Sequence, residues 1–456
     1  MRKLVLLLIF ALVVVAAAAC GKSTGSAANE TAETTRPAQD KASPVTTVLE
    51  DGYLLAMSDV SRLAPSAPKE DISAAVESML LVGLDLYQVL ASQPDNTNVV
   101  LSPASISTAL AMTYAGAAGT TAEEMARYLH FKLTDDSLHA AFNALDQELK
   151  TRNWETTTPE GRKEGVLLRT ANSLWGQKDL PFEPSFLDLL AAQYGAGMRL
   201  VDFATAPEEA RQAINAWVAK ETEKKIPELI PKGVIDVLTR LVLVNAIYLD
   251  ATWASQFNPD LTHDGQFTKL DGTTMTVPMM NQTASFPYAA GNGWQAVELP
   301  YAGDQLAMVL LVPDQERFAE VEQNLKNGLL TEVFGALSAP REVALTVPKF
   351  KMRTQADLDE AFRILGMKAP FDPGLADFSK MTREEKLYIT DIIHEAFIAV
   401  DEEGTEAAAA TAVVIGKTAM PIDIVELVID RPFIFALRDR TTGALLFLGR
   451  VLEPSQ

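Results

Sequence analysis

Within Ile72–Leu90, apolar residues fall at helical spacing (Val76, Met79, Leu80, Leu84, Tyr87, Leu90), and Pro94, Asp95 and Asn96 close the run, which predicts an amphipathic helix. Val99–Gly119 starts as a β-branched run, breaks at Pro103 and continues with small residues on every side. This predicts a short strand leading into a buried helix that lies close to its neighbours. Strands are expected at Val166–Trp175 and Arg199–Phe203. Helices are expected at Pro184–Tyr194 and at Pro207–Lys225, the latter with Ala213, Trp217 and Val218 on its apolar face. Leu238–Tyr248 is almost wholly apolar but holds Asn245 in its middle, so it reads as a strand covered on both faces with an amide that needs partners. Further strands are expected in Trp294–Val312, on either side of Ala302, Gly303 and Asp304, and at Val343–Met352, which Pro348 interrupts. The last pair, Phe433–Arg438 and Leu445–Leu452, flanks a turn at Thr441, Thr442 and Gly443. Helices come first and long strands dominate later, without a repeat of fixed period, so the fold class is α+β with large mixed or antiparallel sheets.

Asp401–Pro432 fits neither pattern. It is bounded by two buried-strand signals, Ile392–Val400 and Ile424–Ile429, yet between them it has no capping box and no helical stripe. Laid out as a strand, Thr405, Ala407, Ala409, Thr411, Val413 and Ile415 share one face that is small and uncharged. Such a face can enter a sheet without burying an ion, so the segment reads either as a switch or as an Ala-rich loop with no task.

The N-terminus carries a signal of its own. Met1–Cys20 places Arg2 and Lys3 before an unbroken apolar run from Leu4 to Ala19, shorter than the roughly twenty residues that span a bilayer. Residues 1–20 are therefore expected to be a signal peptide. Cys20 is the only cysteine, which excludes an internal disulfide and a Cys-based zinc site. Residues 21–70 are rich in Ser, Thr, Ala, Pro and Glu and poor in aromatics, and they read as a disordered tether before a domain at 71–456. In that tether Tyr53, Leu54, Leu55 and Met57 form a small apolar island, which reads as unstructured, with docking on the domain as the alternative.

Net charge is −21, or −23 once Arg2 and Lys3 leave with the leader, with 37 basic against 60 acidic residues. Such a balance leaves no basic patch for nucleic acid. Enzyme motifs are poor. Gly416-Lys417-Thr418 resembles the end of a phosphate loop, but Thr411 stands where its first glycine belongs. His394-Glu395 lacks the second histidine of a zinc helix, since position 398 is Ile, and no Gly-x-Ser-x-Gly elbow occurs. No metal site, cofactor or catalytic residue is expected. Ser102, Ser105, Asn245 and His394 each sit inside an apolar segment, and an unpaired buried polar group costs on the order of 1–3 kcal/mol. They are expected either to satisfy one another or to bond local backbone.

Taken together, Glu402, Glu403, Gly404, Thr405, Glu406 and Ala407, Ala408, Ala409, Ala410 resemble the hinge of the serpin reactive-centre loop, and Arg431–Phe435 resembles the signature that follows it. Asn98–Ala111 and Leu243–Phe257 are similar to further serpin segments, and the resemblance runs from about Ile72 to Glu453. It implies three β-sheets, about eight or nine helices and an exposed loop. It also implies a suicide-substrate inhibitor of serine, or secondarily cysteine, endopeptidases that traps a covalent acyl-enzyme by inserting the cut loop into the main sheet. The family pattern makes Ser102, Ser105, Asn245 and His394 the shutter, and Trp253, Lys349 and Glu402 the breach. Counting from Gly404 puts the reactive bond at Thr418–Ala419, with Lys417 as the next candidate, whereas counting back from Pro432 points nearer Met420 or Pro421. Cys20 resembles the lipidated cysteine of a bacterial lipoprotein, which implies an exported, membrane-anchored monomer; simple secretion is the alternative. A non-inhibitory serpin-fold surface lipoprotein is the second functional reading.

Overall fold

A computed structural model describes residues 45–48, 52–93, 97–159, 161, 163–405 and 424–454. Among these, nine α-helices accompany two hydrogen-bonded sheets. The main sheet runs in the order Val45–Val48, Leu54–Met57, Met198–Val201, Lys163–Gln177, Leu241–Thr252, Gly404–Thr405, Asp391–Val400 and Phe350–Asp357. The other runs Val425–Val428, Pro340–Pro348, Thr274–Gly291, Trp294–Pro300, Leu306–Pro313, Phe433–Asp439, Leu445–Val451 and Val99–Leu101. The strand Thr274–Gly291 is shared. It pairs with His263–Thr268 and Pro340–Pro348 along most of its length and with Trp294–Pro300 at its end, so the second and third of the expected sheets run into each other there.

The helix Lys69–Ala91 buries Ala75, Met79, Val82, Leu86 and Tyr87; Val76, Leu80 and Leu90 of the expected stripe sit at its margin, only partly covered. The next helix, Pro103–Tyr114, starts where Ser102 accepts the Ser105 N–H at 3.2 Å and Pro103 takes the first turn, an N-cap that fixes its start. Its small residues permit a close approach: a Cβ on Gly83 of the first helix would lie 2.4 Å from the Pro103 ring. Both helices pack with Asp135–Lys150 under the inner face of the main sheet, in the larger core. On the outer face, the helix Pro207–Glu221 and the segment after it form a second core with Trp175, Trp217, Ile230, Ile235, Val244 and Ile393.

Two expectations are corrected. Val343–Met352 is not one strand but parts of two in different sheets, Pro340–Pro348 and Phe350–Asp357, because the chain crosses between sheets at Pro348–Lys349. The tether does not extend to residue 70. Leu54–Met57 pairs antiparallel with Met198–Val201, the Tyr53 ring lies 5.0 Å from that of Trp175, and Arg62 bonds Asp146 at 2.6 Å and Asn143 at 2.9 Å. The apolar island extends the sheet edge and buries its aromatic, which repays its ordering entropy. Residues 1–44, including the expected leader and Cys20, lie outside the described residues.

Candidate functional site

The site lies along the seam between Leu241–Thr252 and Asp391–Val400. These neighbours pair in parallel from Asp391↔Val242 to Ala396↔Ile247, while their other flanks pair antiparallel with Lys163–Gln177 and Phe350–Asp357. Past Val400 the chain turns back: Asp401 N–H donates to the Gly404 carbonyl at 3.0 Å, and the Asp401 carboxylate accepts the N–H groups of Glu403 and Gly404 at 2.9 and 3.3 Å. Gly404–Thr405 then enters the upper end of the seam, antiparallel to both neighbours, with Val400↔Thr405, Thr405↔Ala251 and Gly404↔Thr252. A Cβ on Gly404 would lie 1.9 Å from the Ala251 carbonyl oxygen, so only glycine fits there. Glu406, Ala407, Ala408, Ala409, Ala410 and the reactive-bond candidates Lys417, Thr418 and Ala419 lie outside the described residues.

Around this entry stand the expected Trp253, Lys349 and Glu402. Trp253 donates its indole N–H to the Asp401 carbonyl at 3.0 Å and its backbone N–H to the Glu403 carbonyl at 2.8 Å, and its ring stacks on Tyr301 with centroids 4.4 Å apart. Lys349 meets the buried Glu402 carboxylate at 2.5 Å, and Thr262 donates to its other oxygen at 2.8 Å. Burial pushes the Glu402 carboxyl up, but Lys349 and Thr262 together outweigh it and hold it below the usual range. The sequence reading missed Tyr301, whose hydroxyl pairs with Thr405 Oγ1 at 2.6 Å in full burial, and burial raises that phenol above its ordinary value.

Lower on the seam, Ser102, Ser105, Asn245 and His394 do come together. Asn172, Asn245 and His394 stand abreast on three adjacent strands, facing the start of the Pro103–Tyr114 helix. His394 Nε2 accepts the Ser102 N–H at 3.2 Å, so Nδ1 carries the proton and donates to Asn245 Oδ1. Asn245 Nδ2 donates to Ser105 Oγ at 2.7 Å and to Asn172 Oδ1 at 2.6 Å, and Ser105 Oγ donates to the same Asn172 oxygen at 2.7 Å. Burial pushes His394 down to about 3, with the bond to Asn245 opposing it, so the ring is neutral at ordinary pH. Asn172 was missed because its strand also holds Arg169, Thr170 and Ser173, so one more polar residue does not stand out, whereas Asn245 is alone among apolar neighbours.

Residues 77–454 match the family model described as Serpin (serine protease inhibitor). The chain belongs to the serpin family. This serpin is 40% identical over 373 residues to an uncharacterised serpin-like protein of Thermococcus kodakarensis, covering 81% of this chain and 83% of the relative. It is 38% identical over 379 residues to the leukocyte elastase inhibitor of Bos taurus, covering 81% and 97%. The solved structure of the thermophilic serpin tengpin in its native state superposes with a TM-score of 0.74 at 27% identity, covering 87% of this chain and 97% of tengpin. The serpin fold and membership in a family of protease inhibitors follow from these likenesses.

Proposed function

We propose that this serpin is a suicide-substrate inhibitor of serine endopeptidases, which traps its target by inserting the cut reactive loop into the main sheet. The observation that carries this reading is the parallel seam with Gly404–Thr405 already wedged into its end, antiparallel to both walls. Extending that wedge replaces one parallel interface by two antiparallel ones, the stronger pairing per residue. Ten or so further residues, each adding net hydrogen bonds worth about 0.5–1.5 kcal/mol, supply a driving force on the order of 10 kcal/mol. The enzyme's serine oxygen attacks the scissile carbonyl, the C–N bond breaks, and the leaving amine takes the proton. Insertion then carries the esterified enzyme away before water completes hydrolysis. The uncharged face from Thr405 to Ile415 meets the requirement that nothing ionic be buried.

Incubation with trypsin, elastase and subtilisin is expected to give an SDS-stable adduct and a released C-terminal peptide beginning at Ala419. A peptide beginning at Thr418 assigns Lys417 to the cut instead, and loop cleavage by all three enzymes without any adduct refutes the trap and leaves a non-inhibitory member of the fold. We further propose export with acylation of Cys20, which holds a monomer at a membrane. Cys20→Ala is expected to release the protein from the membrane fraction, and unchanged association rejects the anchor.

A further inference from the structure

The outer face of the seam carries a chemistry that trapping does not use. Asp391, Ile393 and Glu395 share that face, since Ile393 packs into the core under the covering segment and its register partners are Val244 and Asp357. The cover is the stretch after the helix Pro207–Glu221. It is tied down on the Phe350–Asp357 strand by Gln355, which donates to the Leu229 carbonyl at 2.6 Å, and by Arg353, which donates to the Lys225 carbonyl at 2.7 Å.

Beneath that cover the two acids are poorly served. Asp391 Oδ2 is buried and has no hydrogen-bond partner among the described residues. The charges that bear on it share its sign: Asp236 from the cover, Asp357 from the neighbouring strand and Asp359 from the helix Leu358–Leu365. Two cations of the flanking elements are engaged elsewhere: Arg240, at the end of the cover, holds Glu385 at 2.9 Å, and Arg363, on the helix Leu358–Leu365, faces Asp359 at 3.8 Å. Glu395 lies opposite Gln355, and its buried Oε1 is 2.9 Å from Arg353 Nη1 without the alignment of a hydrogen bond; Lys225 directs its ammonium over the Tyr248 ring. Burial first, and for Asp391 the three carboxylates second, push Asp391 up to about 7 from 3.8; burial pushes Glu395 up to about 7 from 4.5 against Arg353. Ionising either acid in the closed sheet is therefore costly, and hydrating it removes the cost.

We propose that Asp391 and Glu395 are a protonation-controlled catch on the lower seam: as neutral acids they hold the His394 strand closed beneath its cover, and as carboxylates they release it. Parting Asp391–Val400 from Leu241–Thr252 by one strand width, about 4.8 Å, opens the seam beside both groups to water. Between the ordinary carboxyl values and about 7, the opened sheet binds fewer protons than the closed one, so each pH unit favours opening by up to tenfold per group; above about 7 both forms are ionised and the effect levels off. His394 acts in the opposite direction from the inner face, favouring opening as pH falls below 6.5. The catch is therefore read as a difference between variants rather than from the wild type alone.

The consequence for trapping rests on the inhibitory reading, but the catch itself does not, and its test uses no protease. Hydrogen exchange of the amides of residues 243–247 and 392–396 in the full chain, corrected for intrinsic rates, gives the opening equilibrium between about pH 5 and about pH 7. Relative to the Asp391→Asn/Glu395→Gln double variant, the wild type is expected to gain at least tenfold in opening over that range, and each single variant is expected to show part of the gain. Should the double variant not fold, the two single variants carry the comparison. Parallel pH profiles for wild type and variants overturn the proposal.

Discussion

His394 donates its Nδ1 proton to the side-chain oxygen of Asn245, its register partner across the parallel seam, while its Nε2 accepts the Ser102 N–H from the helix below. The bond spans the parallel pairing of the two strands, so the sheet cannot open there without breaking it. His394→Leu leaves the Asn245 oxygen and the Ser102 N–H buried and unpaired, at a cost on the order of 1–3 kcal/mol each. Urea unfolding at neutral pH is expected to show a midpoint lowered accordingly, and an unchanged midpoint contradicts the assigned network.

The same ring sets an acid limit. His394 is held neutral down to about 3, against 6.5 when hydrated, so the unfolded chain takes up a proton that the native state refuses. Native stability from this group is complete above 6.5 and declines as pH falls toward about 3, by about 1.4 kcal/mol per unit for one proton. His139, buried and pushed down to about 4, contributes with the same sign. Comparison of wild type with His394→Gln by thermal unfolding at several pH values isolates the contribution of this ring: their difference is expected to shrink steadily below pH 6.5.

At the entry to the seam, Thr405 is fully buried and paired with Tyr301. Thr405→Arg has to bury a cation there or leave the seam, so the variant is expected to be cleaved as a substrate rather than to form adducts. Gly404→Ala is expected to expel the hinge through its clash with the Ala251 carbonyl, which exchange of the Thr405 amide reports directly. Wild-type adduct yield from Thr405→Arg removes the insertion account.

Tyr53, 5% exposed, closes an aromatic group in which the Arg199 guanidinium lies 4.2 Å from the Trp217 ring and 5.6 Å from that of Tyr53. Tyr53→Ala is expected to cost about 3 kcal/mol, as for other large-to-small changes in a core. A melting temperature equal to wild type shows instead that the edge segment contributes no stability.

Arg152 and Asp439, 2% and 0% exposed, pair at 2.6 Å, and Asp439 also accepts the Thr442 N–H and hydroxyl at the last hairpin. Arg152→Met leaves that carboxylate buried without its cation and is expected to cost about 3–5 kcal/mol. The Arg152→Met/Asp439→Asn double variant should recover part of this loss, measured as a double-mutant cycle.

Legibility followed from how local each constraint is. Pro103 and Ser102 announce a helix start, and Asn245 stands out because its strand is otherwise apolar. Tyr301 and Asp401 carry no such mark: one is an aromatic after a strand, the other an acid among acids, and each gains meaning only from a partner, Thr405 in one case and the hinge amides in the other. Pro348 was visible as an interruption, yet whether a proline ends a strand or moves the chain to another sheet depends on what lies on either side. The island at Tyr53–Met57 could not be distinguished from tether, because its value lies in an edge formed by Met198–Val201 and in a pocket formed by Trp175.

By itself the sequence determined the class of the fold, most of its helices and strands, the uncharged face of the loop and the four polar residues of the inner cluster, since periodicity, proline and isolated polarity are written in neighbouring residues. Tertiary structure alone decided that two of the central strands run parallel, that Gly404–Thr405 is already seated between them, and that Asp391 meets three other carboxylates beneath a cover. Strand order, burial and charge proximity depend on segments far apart in the chain, and no local pattern encodes which of them will meet.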